Sequence, residues 1–106
     1  MPYRIERSSR FLADLEELGD YCKTYSETYA ARQFDRLDHS IRILIGESPS
    51  RWAPFVHTGY PYYAYLFRLG ERTQYWIVYT FDEDAKVIRL LRLWGASRNE
   101  TSFTVM

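Results

Sequence analysis

The sequence predicts an α+β fold in the order β-α-α-β-β-β, with a pair of helices packed on one face of a small, mainly antiparallel sheet. Two observations predict it: apolar residues recur at helical spacing before residue 46, and at every second position after residue 62. The 106 residues contain no linker, repeat or low-complexity tract, so we expect residues 1–106 to form a single domain.

The first two elements are a short strand and a helix. Tyr3 and Ile5 alternate with polar residues and predict a strand within residues 2–8. Ser8 and Ser9 offer a helix N-cap. The apolar residues that follow at helical spacing are Phe11, Leu12, Leu15 and Leu18. We expect this helix to end or loosen at Gly19 and to expose a solvated face that carries Asp14, Glu16 and Glu17.

The second helix is defined by five apolar residues whose steps of four and three positions place them on one stripe, namely Ala30, Phe34, Leu37, Ile41 and Leu44. With Ser26 as a cap and Gly46 as a stop, we expect a long helix from Glu27 to Ile45. Prolines and a glycine then predict a loop over residues 48–61.

Three strands follow, over residues 63–69, 75–81 and 87–94, with a polar turn at residues 82–86. Their short connections make neighbouring strands antiparallel, because a parallel pair needs a crossover of about a dozen residues or more. Both faces of the last two strands are apolar. We therefore expect the helices on one face and a concave, partly exposed surface on the other.

Composition excludes several classes of protein. Lys plus Arg is 14 and Asp plus Glu is 14, which argues against a broad electrostatic grip on nucleic acid but leaves room for a local basic patch. Cys22, the single cysteine, can form neither an internal disulfide nor a zinc site, so we expect a cytoplasmic protein. We find no membrane span, phosphate-binding glycine loop or metal-ligand spacing, and we expect no membrane contact, cofactor or metal.

Aromatic residues make up 18% of the chain, and most of the Tyr and Trp follow residue 50. One interpretation is a thin core filled with large rings, because each ring buries about 150–250 Å². The other is an exposed ring surface that binds a partner. Both interpretations stay open at the level of the sequence.

Five arginines in or beside the predicted sheet are candidates for an anion site, namely Arg68, Arg72, Arg89, Arg92 and Arg98. Because Arg89 and Arg92 are three residues apart on one strand, strict alternation predicts that they point to opposite faces. If several guanidinium groups converge, they would bind phosphate or carboxylate. The alternative is that they are rim residues that pair with nearby acidic side chains.

The last two predicted strands carry Tyr75-Trp76-Ile77-Val78-Tyr79, then Asp82, then Lys86-Val87-Ile88, and finally Leu91-Arg92-Leu93-Trp94-Gly95-Ala96-Ser97-Arg98. This pattern, the order of the elements and the chain length resemble the RelE/ParE superfamily, the toxins of bacterial type II toxin–antitoxin modules. The resemblance is close over residues 60–98 and concerns only the order of elements before them. It implies a growth-inhibiting toxin, a role in plasmid stabilisation and a cognate antitoxin as partner.

The resemblance implies two branches of activity. ParE-like members bind DNA gyrase and need no catalytic groups, whereas RelE-like members cut messenger RNA on the ribosome. The family has an arginine after the first tyrosine of its third strand, where this chain has Trp76. It has a histidine or another basic residue after its fourth strand, where this chain has Gly95, and an arginine three residues later, which Arg98 matches. We therefore expect a ParE-like toxin, with a RelE-like endoribonuclease and a non-toxic binding module as the alternatives.

For the endoribonuclease, the candidate catalytic residues are Arg68, Arg72, Arg98 and Tyr75, with Tyr79 as a second possible proton donor. The residues that we expect to bind the target or the antitoxin are Tyr65, Arg68, Trp76, Arg92, Trp94 and Arg98. The target is then DNA gyrase, or in the alternative the ribosome with its messenger RNA. The sequence leaves open a homodimer and a hetero-oligomer with the antitoxin.

Overall fold

The elements follow the predicted order in the computed structural model, which describes residues 3–54, 62–70 and 73–96. In chain order they are β1 (Arg4–Arg7), α1 (Ser9–Lys23), α2 (Glu27–His39), a π-helical segment (Ser40–Ile45), a 3-10 turn (Pro49–Arg51), β2 (Ala53–Pro54), β3 (Tyr63–Arg68), β4 (Gln74–Asp82) and β5 (Val87–Gly95). The predicted β-α-α-β-β-β fold is confirmed, and the two-residue β2 is an addition inside the segment that we expected to be loop.

The strands form one sheet in the order β1-β5-β4-β3-β2. The pairs β2–β3, β3–β4 and β4–β5 are antiparallel, as their connections predict, whereas β1 runs parallel to β5. β1 pairs with β5 only from Arg4 opposite Val87 to Arg7 opposite Leu90. Beyond Leu90, β5 therefore has no β-strand neighbour on that side among the described residues, and α1 runs alongside it instead.

Helix α1 begins where the sequence predicts but ends later. The Ser8 hydroxyl caps it by accepting from the Phe11 N–H at 3.1 Å, and it donates to the Leu91 carbonyl at 3.0 Å. The predicted end at Gly19 is wrong, because the helix continues to Lys23. Gly19 is buried where α1 meets α2, and a Cβ atom there would lie 3.2 Å from Cζ of Phe34. The glycine thus permits close packing of the two helices.

The long second helix covers the predicted range but changes its geometry near its end. Residues Ser40–Ile45 form a π-helical segment, in which hydrogen bonds span five residues rather than four. The wider turn buries Ile41 and Ile45, whereas Leu44, which the helical stripe had included, is only half-buried. The side chain of Ser40 donates to the Arg36 carbonyl at 3.1 Å within the preceding turn.

The main core lies between the helices and one face of the sheet. Phe11, Leu18 and Leu37 of the helices are buried against strand residues that share that face, including Phe67, Ile77, Tyr79, Ile88 and Leu90. Arg36 fastens α2 to the end of β3, since its guanidinium donates to the Arg68 carbonyl at 2.8 Å and lies over the Phe67 ring. Both helices therefore lie on one face of the sheet, as the sequence predicts.

Candidate functional site

The face of the sheet opposite the helices carries the two sheet indoles side by side. Trp76 of β4 lies directly opposite Trp94 of β5 and, on its other side, opposite Leu66 of β3. In the next row, Val78 lies between Ala64 and Arg92. We call the five apolar residues of these two rows the indole face: Ala64, Leu66, Trp76, Val78 and Trp94.

The indole face is buried at its centre and partly exposed at its margin. Val78 has no exposed surface and Trp94 is only 4% exposed, and Ala64 is also buried. Leu66 and Trp76 are half-buried, and so is Tyr62, which packs against the cluster. The expectation of a partly exposed surface therefore holds for Leu66 and Trp76 but is wrong for the middle of the face.

A β-bulge decides where the arginines of β5 point. Val78 pairs with Arg92 but the next residue, Tyr79, pairs with Leu90, so that Leu91 is the extra residue. Because of this extra residue, Arg89 and Arg92 lie on the same face of the sheet. The expectation that they point to opposite faces is wrong, since strict alternation fails across a bulge.

Arg92 is a buried structural residue on this face. Its guanidinium bonds the carboxylate of Asp14 in α1, with Nε at 2.7 Å from Oδ2, and both side chains are more than 90% buried. The same guanidinium lies 5.0 Å from the centroid of the Trp94 ring. Arg92 thus positions the Trp94 indole through a cation–π contact while Asp14 neutralises its charge.

Asp14 is a residue whose role the sequence prediction missed. The prediction of a solvated position is wrong, because Asp14 is buried and also accepts a hydrogen bond from the Leu93 N–H at 2.9 Å. This bond gives a partner to a backbone N–H of β5 beyond the point where β1 ends. The sequence does contain a signal. Asp14 lies three residues after Phe11 and four before Leu18, which places this carboxylate on the apolar stripe of α1.

The remaining arginines of the indole side do not meet at one point. Arg68 is exposed at the end of β3, opposite Gln74. Arg89 is exposed at the other end and forms an ion pair of 3.2 Å with Glu6 of β1. Arg68 on β3 and Arg92 on β5 are separated by two strand spacings and four residue positions, or about 16 Å at ordinary strand geometry. The described arginines therefore act singly rather than as one anion site.

The tyrosines predicted for the site lie on the helical face. Tyr65 packs edge-on against Trp52, with ring centroids 4.7 Å apart, and Tyr75 pairs with Phe67 on the same side. The register therefore places Arg68 and Tyr75 on opposite faces. Tyr79 is fully buried and donates its hydroxyl to the Pro49 carbonyl; burial, with the nearby Tyr63, raises its pKa well above the ordinary range. Arg72 and Arg98 lie outside the described residues.

Two further surface features were not predicted. A cleft of about 430 Å³ opens over the Asp14–Arg92 pair and is lined by acidic residues of α1, including Glu17 and Asp20. At the turn between the helices, the rings of Tyr21, Tyr25 and Tyr29 follow one another at centroid distances of 5.7 and 5.3 Å. The hydrogen bond with Tyr21 raises the pKa of Tyr25.

The described residues contain neither a cluster of metal-binding side chains nor a helix that could span a membrane. In residues 3–54, 62–70 and 73–96, no three side chains of metal-binding type are grouped together. Over the same part of the chain, no helix combines the length and the apolar composition that crossing a bilayer requires.

Comparison with known protein families gives a match over most of the chain. The family model described as the ParE toxin of the type II toxin–antitoxin system, parDE, matches residues 5–100. No curated protein matches the chain. The matched range includes every described helix and β3, β4 and β5, and so contains the indole face and the Asp14–Arg92 pair.

Proposed function

Since the chain belongs to the ParE toxin family of type II toxin–antitoxin systems, within the RelE/ParE superfamily, we propose that it inhibits growth by binding DNA gyrase and that a cognate antitoxin neutralises it. The family match supports the toxin assignment and the existence of an antitoxin. The gyrase target, the mode of neutralisation and the cytoplasmic site of action are the parts that we add.

The indole face supports binding as the mode of action. It presents Leu66 and Trp76 as half-exposed apolar side chains, with the exposed Arg68 one row away. Aromatic and arginine side chains are the types most enriched among residues that dominate the energy of protein interfaces. We therefore propose Arg68 and Trp76 as the centre of the target surface, with the buried Trp94 supporting Trp76 from the neighbouring strand and Arg92 positioning Trp94.

The charge of the chain also favours a protein target. Equal numbers of acidic and basic residues give a formal net charge of zero, whereas affinity for an RNA backbone grows with the number of phosphates that Lys and Arg neutralise. Moreover, Tyr79 is held by Pro49 in the interior and Tyr75 lies on the face opposite Arg68. These placements give the endoribonuclease alternative less support than the gyrase proposal.

The proposal is tested by adding the purified chain to a DNA supercoiling reaction with purified gyrase, with and without the product of the adjacent reading frame. We expect concentration-dependent loss of supercoiling that the neighbouring protein prevents. In cells, pulse labelling after induction should show that DNA synthesis stops first. Codon-positioned cuts in messenger RNA with early loss of protein synthesis would instead support the endoribonuclease, and unchanged colony counts would support a non-toxic binding module.

A further inference from the structure

The turn between α1 and α2 presents adjacent aromatic side chains to solvent. Tyr25 is 65% exposed and Tyr21 is 39% exposed, although most large apolar side chains of the described residues are covered. We call Tyr21, Tyr25 and Tyr29 the tyrosine ladder. Adjacent exposed aromatic side chains mark an interaction surface more strongly than isolated ones do.

The rings of the tyrosine ladder are held in place within the chain itself. Tyr29 packs against the main core, and the Tyr25 ring lies between those of Tyr29 and Tyr21. The hydroxyls of Tyr21 and Tyr25 share a hydrogen bond of 3.2 Å, and the Thr24 hydroxyl donates to the Tyr21 carbonyl at 2.6 Å. Because these contacts already fix the side chains, a partner that binds them pays little conformational entropy.

The charge around the tyrosine ladder is negative, although the formal net charge of the whole chain is zero. Residues 11–31 contain five acidic residues but only one basic residue, Lys23. Arg92 neutralises one of the five, Asp14. The carboxylates that remain are exposed and lie outside the ion pairs of the described residues, namely Glu16, Glu17, Asp20 and Glu27. A partner that binds here is therefore favoured by positive charge.

The tyrosine ladder continues the side of α1 that lines the cleft over the Asp14–Arg92 pair. Tyr21 follows Glu17 by four residues and Asp14 by seven, and both of these carboxylates line the cleft. Residues at these spacings share one face of a helix. Arg10, which also lines the cleft, lies eleven residues before Tyr21, or about 16 Å along the helix axis. The acidic part of the cleft is thus the part next to the rings.

We propose that the tyrosine ladder and the adjoining carboxylates of α1 form a docking surface for a basic, arginine-bearing segment of a partner protein. Guanidinium groups of the partner stack on the exposed rings of Tyr21 and Tyr25. Their charge meets the carboxylates of Glu17 and Asp20. Arginine is favoured over lysine, because a planar guanidinium both stacks on a ring and bonds a carboxylate at two points.

The docking surface differs in charge from the proposed target surface. The exposed charge beside the indole face is that of Arg68, whereas carboxylates surround the tyrosine ladder. The two surfaces have no residue in common. The chain therefore has room for a basic partner on α1 in addition to the partner that its indole face binds, and the docking surface does not depend on gyrase being the target.

The test is an NMR titration of the full-length chain with a synthetic peptide of alternating arginine and alanine, at low and at physiological ionic strength. We expect saturable binding, with shift changes centred on Tyr21, Tyr25 and the second half of α1. The lysine counterpart of the peptide should bind about threefold or more weakly, because an ammonium cannot stack as a guanidinium does.

Two variants examine the rings. Tyr21→Ala/Tyr25→Ala should weaken binding of the arginine peptide about fivefold or more, because two ring faces are lost. Tyr21→Phe/Tyr25→Phe removes the hydrogen bond between the hydroxyls but keeps both rings, and should bind within about twofold of the parent. Both side chains are exposed, so melting temperatures serve to confirm that each variant is folded.

Two further variants examine the charge. Glu17→Gln/Asp20→Asn should weaken binding about threefold or more at low ionic strength, where exposed charges are least screened. The matched control is Glu83→Gln/Asp84→Asn, which removes the same number of exposed charges from the turn between β4 and β5. It should bind the arginine peptide like the parent, because no aromatic ladder adjoins that turn.

The docking surface is overturned if the arginine peptide does not saturate, if Tyr21→Ala/Tyr25→Ala binds it like the parent, or if the Glu83→Gln/Asp84→Asn control loses as much affinity as Glu17→Gln/Asp20→Asn. Inhibition of gyrase by the Tyr21→Ala/Tyr25→Ala variant is measured separately and should equal that of the parent. Absence of inhibition by every form contradicts the proposed function and leaves the titration result intact.

Discussion

Asp14 and Arg92 form a buried two-point ion pair, with 2.7 Å from Nε to Oδ2 and 3.2 Å from the second guanidinium nitrogen to Oδ1. Because Oδ2 also accepts the Leu93 N–H, one carboxylate holds both a side chain and the backbone of β5. The pair joins α1 to the part of β5 that β1 does not reach. It therefore determines how the indole face is placed relative to the helices.

Removing one member of this pair should be strongly destabilising. Asp14→Ala leaves the Arg92 charge buried without its carboxylate, and we expect the free energy of unfolding to fall by about 3–5 kcal/mol in urea denaturation. The double variant Asp14→Leu/Arg92→Met replaces both charges with apolar groups and should recover most of that loss. A loss below about 1 kcal/mol for Asp14→Ala would contradict the buried pair.

Tyr79 predicts how stability depends on alkaline pH. Burial raises its pKa above the value of about 10 that tyrosine has in the unfolded chain, so the neutral hydroxyl stabilises the folded state fully below pH 10. As the pH rises above 10, the unfolded state ionises first, and this group should lower the free energy of unfolding by up to about 1.4 kcal/mol per pH unit.

The measurement is urea denaturation between pH 7 and pH 11.5 for the parent and Tyr79→Phe. At pH 7 the variant should be less stable by about 1–2 kcal/mol, because the Pro49 carbonyl loses its hydrogen-bond donor in the interior. Above pH 10 the difference between the two proteins should shrink. Parallel pH profiles would show that Tyr79 does not titrate as its burial requires.

Lys86 adopts a backbone conformation that favours glycine. Its φ is 55°, in the left-handed region, and its ammonium lies 5.0 Å from the centroid of the Tyr3 ring. Lys86→Ala keeps the backbone strain and removes the cation–π contact with Tyr3. Lys86→Gly removes the same contact but also relieves the strain, because glycine adopts positive φ readily. We expect the free energy of unfolding, measured by thermal denaturation, to be about 1 kcal/mol higher for the glycine variant than for the alanine variant. Equal stabilities would mean that the turn relaxes in solution.

The proposed target surface predicts which changes abolish activity without unfolding the chain. Arg68→Glu changes an exposed side chain beside the indole face, and Trp76→Ala removes half-exposed aromatic surface. We expect each to weaken binding to gyrase at least about tenfold, as for residues at the centre of an interface.

The matched control is Arg42→Glu. Arg42 is exposed on the π-helical segment, away from the indole face, and its charge pairs with Asp38 of α2. It should bind and inhibit like the parent. All three variants are compared by circular dichroism and melting temperature first. Loss of activity in Arg42→Glu alone, with Arg68→Glu and Trp76→Ala fully active, would move the target surface to the helical side.

The sequence by itself determined the order of the elements, the bounds of β4 and β5 to within a residue, and the family. These features are local: a period of two or of 3.6 residues is set by neighbours along the chain, whether or not the chain has folded. Ser8 and Ser26 as helix caps were predictable for the same reason, since a cap bonds backbone only two or three residues away.

Only the tertiary structure decided which side chains share the site. One extra residue, Leu91, puts Arg89 and Arg92 on the same face, and its position depends on the pairing of β5 with β4. Asp14 is buried because α1 lies along a strand edge that β1 leaves open, and Gly19 continues a helix because Phe34 of α2 packs against it. Such contacts join residues that are far apart in sequence, so no local pattern encodes them.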